Sequence, residues 1–265
     1  MITPKLPQHS PKATVEQTIG VTDVKVTYAR PSAKGRTIFG GLVPFDQVWR
    51  TAANAGSYIS FSTAVTLQGV SVPAGEYGLL TIPGKDRWRV MLNKSLHTIL
   101  AVPYDPALNV LDVEVPVSGT EFVETFTIAL DDLGTDAALL TLSWERTRIA
   151  LTLEAPATDM ALHNVDEAMA QPDVTPAVMH SCAAFCLDRK VRLADALAWE
   201  RASVEKDPKF YTVRTLALLY AANGMKKEAI EAAKRSIELS RAAGQEAFVR
   251  MNEEKIREWE GELVG

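Results

Sequence analysis

The stretch Leu111-Asp112-Val113-Glu114-Val115-Pro116-Val117 sets an apolar side chain at every second position, with Asp112 and Glu114 between them. Successive side chains of a strand point to opposite faces, so this period of two predicts a half-buried β-strand. The same period recurs on either side. Upstream, Val24, Val26 and Tyr28 alternate with Asp23, Lys25 and Thr27, and Trp88, Val90 and Leu92 alternate with Arg87, Arg89 and Met91. Downstream, Phe126, Ile128 and Leu130 alternate with Thr125 and Thr127, and Ala138, Leu140, Leu142 and Trp144 face away from Thr141 and Ser143. Turn signals separate these runs at Pro73-Ala74-Gly75, Pro83-Gly84-Lys85-Asp86, Val117-Ser118-Gly119 and Asp131-Asp132-Leu133-Gly134. The pattern predicts about nine or ten short strands and no helix long enough for a crossover, hence an antiparallel β-sandwich or flattened barrel.

The period changes at Ala155-Pro156-Ala157-Thr158. Beyond it, Thr175 reads as a helix N-cap with Pro176 at the first helical position, while Asn223-Gly224 and Gly244 read as stops. Helices are predicted near 159–170, 176–188, 192–206, 209–223, 226–243 and 246–262. Ala184, Phe185, Leu187, Ala196, Leu197, Ser203, Val204 and Glu205 recur at an offset of 33 as Ala217, Leu218, Tyr220, Ala229, Ile230, Ser236, Ile237 and Glu238. That spacing is near the tetratricopeptide period. The fold class is therefore α+β as two domains: an antiparallel β-sandwich over 1–155 and a tetratricopeptide-like helical region over 156–265. Few repeats cannot bury both their faces, so the helices should stack on each other and lean on the β-domain or a second chain, or dock a protein partner.

Composition narrows the classes. At 265 residues, 47% hydrophobic and 23% charged, the chain can bury a core without disulfides or a structural metal. Its net charge of -5 argues against nucleic acid as a partner. No apolar run approaches the roughly 18 residues of a membrane span. The two cysteines, Cys182 and Cys186, sit four apart on a predicted helix, a poor geometry for a disulfide, and read as small apolar side chains in a helix interface. Met1 to Pro7 lacks the basic start and apolar run of a secretory signal, so the protein is either cytoplasmic or written without a removed signal.

Catalytic and cofactor motifs are sparse. No GxGxxG, P-loop, GxSxG elbow, HExxH or CxxC is present, and no cofactor or metal is expected. The β-domain holds only His9 and His97 among the four histidines. His97, Glu76 and Tyr77 are the weak candidates for acid–base catalysis.

Charge is unevenly distributed. No lysine or arginine lies between Lys94 and Arg146, a span rich in Asp and Glu, whereas Lys25, Arg30, Lys34, Arg36 and Arg50 face a single Asp46. One reading is that basic and acidic strand edges pair across the sandwich. The other concerns the segment from Arg30 to Phe45, which is too long for a hairpin turn and mixes cations, glycines and phenylalanines. It is followed by Trp49-Arg50-Thr51-Ala52-Ala53-Asn54. Arg30, Lys34, Arg36, Trp49, Arg50 and Asn54 are thus the candidate ligand-binding set, suited to a carboxylate, phosphate or sugar.

Several motifs carry a family resemblance. Gly20-Val21-Thr22-Asp23-Val24, Tyr28-Ala29-Arg30-Pro31, Gly35-Arg36-Thr37-Ile38-Phe39-Gly40, Val48-Trp49-Arg50-Thr51, Pro73-Ala74-Gly75-Glu76-Tyr77 and Ser143-Trp144-Glu145 resemble the bacterial domain-of-unknown-function family 2911. The Pro208-Lys209-Phe210 and Lys227-Glu228-Ala229 segments resemble the helical tail of many members. Ala52 departs from the glycine common at its position, and Ser95 to Leu100 departs from an aromatic-rich stretch. The resemblance implies an exported, envelope-associated β-domain and no established activity. The expectation is a periplasmic or secreted binding protein for a small anionic or sugar-like molecule; the alternatives are a cytoplasmic location and a hydrolase or lyase acting on an envelope carbohydrate.

Overall fold

A computed structural model describes residues 6–95 and 104–264. The chain divides into two compact units, Met1–Ala157 and Thr158–Gly265.

The first unit holds ten strands among the described residues, all paired antiparallel: β1 (Lys12–Ile19), β2 (Thr22–Ala29), β3 (Ser57–Phe61), β4 (Val65–Leu67), β5 (Val70–Val72), β6 (Gly75–Pro83), β7 (Arg87–Asn93), β8 (Asn109–Pro116), β9 (Ser118–Asp131) and β10 (Ala137–Glu154). They form a six-stranded sheet in the order β1-β2-β3-β6-β7-β8 and a four-stranded sheet in the order β5-β4-β10-β9. Alternation decides which side chains meet between the sheets. Val24, Val26, Tyr28, Ile59, Leu79 and Val90 from one sheet join Phe126, Ile128, Leu140, Leu142 and Leu151 from the other in one buried cluster. Each such fully buried aliphatic side chain contributes about 1.5–3 kcal/mol, and this layer holds the sandwich together.

Strand β10 is longer than its sequence pattern suggests because its alternation changes phase. Ala138, Leu140, Leu142 and Trp144 are buried, and then Ile149, Leu151 and Leu153 are buried. The pairing with β9 shifts register between Ser143 and Glu145 and again before Thr147, and Glu145 has φ 51°. A bulge of this kind inserts an unpaired residue, so side chains beyond it exchange faces. It leaves Trp144 pointing inward and frees the Glu145 carboxylate for the loop described below.

The second unit contains α1 (Thr158–Met169), α2 (Pro176–Arg189), α3 (Leu193–Lys206), α4 (Phe210–Ala222), α5 (Lys226–Ala242) and α6 (Glu246–Val264). Thr175 caps α2 by accepting from the Val178 N–H, with Pro176 in the first turn. Gly224 and Gly244, at φ 78° and 67°, follow α4 and α5. The offset of 33 carries Leu193, which opens α3, onto Lys226, which opens α5. Contacts repeat with the helices. Ser203 on α3 donates to the Pro176 carbonyl that opens α2 (2.8 Å), and Ser236 on α5 donates to the Phe210 carbonyl that opens α4 (2.7 Å). One helix–helix contact is thus made twice.

Candidate functional site

Between β2 and β3 the chain runs from Arg30 to Gly56 with no strand of its own, tied down by hydrogen bonds to its neighbours. The Ala33 N–H donates to the Glu124 carbonyl (2.7 Å) and the Phe126 N–H to the Pro31 carbonyl (2.9 Å), which fastens the loop along β9. Carboxylates complete the attachment: Glu124 Oε1 accepts from the Lys34 N–H (2.9 Å) and Glu145 Oε2, at the bulge, from the Ile38 N–H (3.0 Å). The turn at Gly40-Gly41 requires glycine. A Cβ at Gly40 would sit 2.5 Å from the Phe45 ring, and one at Gly41 would sit 2.4 Å from the Thr37 carbonyl oxygen.

Farther along, the loop takes the lane beside β6 that β3 leaves vacant. Trp49 and Thr81 exchange N–H···O bonds of 2.7 and 3.0 Å, and the Asp46 N–H donates to the Pro83 carbonyl (2.9 Å). This lane places the Trp49 ring among aromatics. It stacks on Trp144 at 6.2 Å and 16°, and meets Phe126, Phe39 and Trp88 edge-on at 5.4–6.1 Å. Geometries of this kind add about 0.5–1.5 kcal/mol per pair beyond burial.

The backbone under Trp49 is strained. Lys34, Asp46, Thr51, Ala52 and Asn54 all have positive φ, with Thr51 at 53° and Ala52 at 152°. A β-branched residue in this region is a true outlier, and Ala52 adopts a conformation that favours glycine. Buried hydrogen bonds enforce the shape. Ser57 Oγ donates to the Thr51 carbonyl, Thr51 and Thr81 hydroxyls lie 3.0 Å apart, and the Trp49 indole N–H donates to the Ala52 carbonyl (3.2 Å). Strain over-determined by its surroundings concentrates at functional sites.

These elements enclose a cavity of about 510 Å³, within the range of small-molecule sites. Arg36, Trp49 and Arg50 line it together with Trp144, Tyr104, Ser10, Gln47 and a set of aliphatic side chains; among the described residues no carboxylate does. Arg36 is oriented by donating from Nε to the Ala33 carbonyl (2.9 Å) and from Nη2 to the Ser32 carbonyl (2.8 Å). Among the described residues neither Arg36 nor Arg50 pairs with an acid. The acidic span of β8 and β9 takes its partners elsewhere: Asp112 from Arg89, Glu114 from Arg87 and Asp131 from Arg148. The Arg89 guanidinium accordingly holds the Asp112 carboxyl below its ordinary range. Charge does pair across strands, but through arginines outside the loop.

The other candidate residues fall elsewhere. Arg30 donates from Nε to the Phe126 carbonyl (3.1 Å) and from Nη2 to Thr127 Oγ1 (2.7 Å), a role in fixing the loop entry. Lys34 is exposed and its side chain does not reach the cavity, and Asn54 donates to the Ser10 carbonyl (3.0 Å). Glu76 and Tyr77 are strand neighbours and therefore face opposite ways; neither lines the cavity. Tyr77 is buried, donates to the Pro73 carbonyl (2.9 Å), and burial pushes its phenol above the ordinary value. His97 lies outside the described residues. Two lining aromatics escaped the sequence. Trp144 shows only as an inward strand residue, because the bulge beside it leaves no pattern, and Tyr104 stands in a segment without periodicity.

A wider hollow of about 700 Å³ lies over β1, β2 and β3, but its one lysine, Lys25, is paired with Glu16, and Asp23 accepts from the Thr18 hydroxyl. In the helical unit Cys182 and Cys186 are buried and free, and burial pushes both thiols up, away from reactive thiolate. No group of three or more His, Cys, Asp or Glu is placed to hold a metal among the described residues.

Comparison with known proteins adds little beyond family. The model of a family described as protein of unknown function (DUF2911) matches residues 10–153, more than half of the chain. No curated protein matches the chain. A Bordetella parapertussis protein solved in solution is similar at 16% identity, over 38% of this chain and 87% of that one, with a TM-score of 0.34 that carries no argument about fold.

Proposed function

The chain belongs to the DUF2911 family, and we propose that its β-domain is a binding module that captures a small anionic ligand in the Arg36–Arg50 cavity. One observation supports this reading above the rest: among the described residues, two arginines without an ion-pair partner line an aromatic-walled hollow that has no acid in its lining. A guanidinium is charged at any working pH, and without an ion pair it attracts an anion from solution. A neutral sugar fits less well, since it would leave the charge of both guanidinium groups unmatched. Titration calorimetry with phosphate, benzoate and glucuronate tests the reading. At least one anion should bind the wild type, and Arg36→Ala combined with Arg50→Ala should remove that binding while far-UV circular dichroism stays unchanged. Binding that survives the double substitution takes these residues out of the site.

The helical unit is, in this reading, tetratricopeptide-like and docks a protein partner or a second copy. Val178 on α2 and Tyr211 on α4 are related by the offset of 33, and both are exposed apolar side chains, as is Met251 on α6. Sedimentation equilibrium separates self-association from a monomer that awaits another partner. A periplasmic or secreted location belongs to the same proposal and rests on the family resemblance; cell fractionation tests it.

A further inference from the structure

We infer that the ligand is an amphiphile, a single anionic head on an apolar tail, whose head meets Arg36 and Arg50 and whose tail runs out over Leu42 and Val48. The inference rests on the anion-binding reading above and narrows its ligand class.

The first argument is volume against charge. A cavity of about 510 Å³ is far larger than an inorganic anion needs. Apart from the two arginines, its lining combines Leu42, Val43, Pro44, Val48, Leu80 and the Trp49 and Trp144 rings with the polar side chains of Ser10, Gln47 and Tyr104. A compact polyanion would leave the apolar part of that surface wet, and a sugar acid would set part of its hydroxyl shell against the Leu42, Val48 and Leu80 side chains. A hydrocarbon body with one charged end satisfies both parts of the wall.

The second argument is the rim. Leu42 is 51% exposed and Val48 is 44% exposed, so two large apolar side chains stand in water at a cavity mouth. Leu42 is held there rigidly. The turn carrying it is closed by the Leu42 N–H on the Thr37 carbonyl (3.1 Å), the Val43 N–H on the Ile38 carbonyl (2.8 Å) and the Gly40 N–H on the Val43 carbonyl (2.8 Å). A turn tip ordinarily carries Gly, Asn, Asp or Ser. A leucine fixed at this tip, next to a backbone shaped by five non-glycine residues of positive φ between Lys34 and Asn54, is pre-organised apolar surface at the entrance.

The test is a chain-length series of acetate, butyrate, hexanoate and octanoate, each below its micelle concentration, followed by tryptophan fluorescence and calorimetry. Burying one methylene is worth about 0.8 kcal/mol, so affinity should rise roughly three- to fourfold per added carbon. Leu42→Ser and Val48→Ser should flatten the rise from hexanoate to octanoate and leave butyrate unchanged. Arg50→Ala should weaken every acid in the series by about tenfold and so shift the line without changing its slope. Affinity that does not depend on chain length, or phosphate or glucuronate binding more tightly than octanoate, overturns the amphiphile while leaving the anion site standing. Failure of every anion to bind, or binding that Arg50→Ala does not weaken, overturns the anion site itself.

Discussion

The helical unit and the Arg30–Gly56 loop use hydrogen bonds in opposite ways. In the helices the contacts repeat: Ser203 to Pro176 becomes Ser236 to Phe210 one repeat later. Non-glycine positive φ there is confined to Lys190 and Arg192, where α2 gives way to α3. In the loop nothing repeats. Each bond from Ala33, Lys34, Ile38, Trp49 or Ser57 is made once, and together they hold five residues in backbone conformations they would otherwise avoid. Repetition is what stacking alone requires. A singular, strained arrangement around unopposed charge needs another reason for existing, and ligand capture supplies one.

Substitutions can break or sharpen this contrast. Trp144→Ala should have the largest effect, since it removes the ring beneath Trp49 and leaves a hole in a packed layer. A loss of about 3–5 kcal/mol in urea unfolding is expected, and a loss below about 1 kcal/mol would mean the aromatic cluster is not the loop's support. Next comes the Arg36→Ala, Arg50→Ala pair, which should weaken benzoate or hexanoate binding by about a hundredfold at unchanged secondary structure. Charge-assisted hydrogen bonds are worth about 1.5–3 kcal/mol each, so a smaller change in calorimetry would show that other donors hold the anion.

Glu200 offers a smaller, pH-dependent effect on the helical side. It is fully buried, its Oε1 lies 2.9 Å from His180 Nδ1, and its Oε2 has no hydrogen-bond partner. Burial outweighs the histidine and pushes the carboxyl above its ordinary value. A raised carboxyl holds its proton more tightly folded than unfolded, so its contribution is full at acid pH and lost as pH rises through the raised value. Glu200→Gln should therefore gain stability relative to the wild type as pH rises above the ordinary carboxylate range. A difference that is flat or falling with pH in thermal unfolding would show that the pair is held as ions. The smallest effect belongs to Ala52→Gly. Relief of strain of about 1–3 kcal/mol, set against the roughly 0.5–1 kcal/mol entropic cost of glycine, leaves a net gain centred near about 1 kcal/mol in unfolding free energy. A loss instead would mean that the φ of 152° at Ala52 carries no strain.

Periodicity explains what the sequence made legible. Strands such as Leu111–Val117 and the helices after Thr158 announce themselves because one face of each is buried along its whole length. The site is legible only in part, because periodicity says nothing about a loop. Composition points to Arg36, Trp49 and Arg50, which line the cavity, and equally to Arg30 and Asn54, which do not line it. Nothing local separates a guanidinium that closes a loop from one that faces a hollow; that depends on β9 and on Ser10, distant in sequence. Trp144 reached the cavity through a bulge, where alternation, the one available signal, breaks down.

Guanidinium Nε–H resonances observed by nitrogen-edited magnetic resonance during a hexanoate titration test the central claim most directly. Shifts should appear at Arg36, Arg50 and the Trp49 indole and saturate together, while Arg87 and Arg148, already paired with Glu114 and Asp131, stay in place. Equal movement of all the arginines, or none at Arg36 and Arg50, would contradict the account.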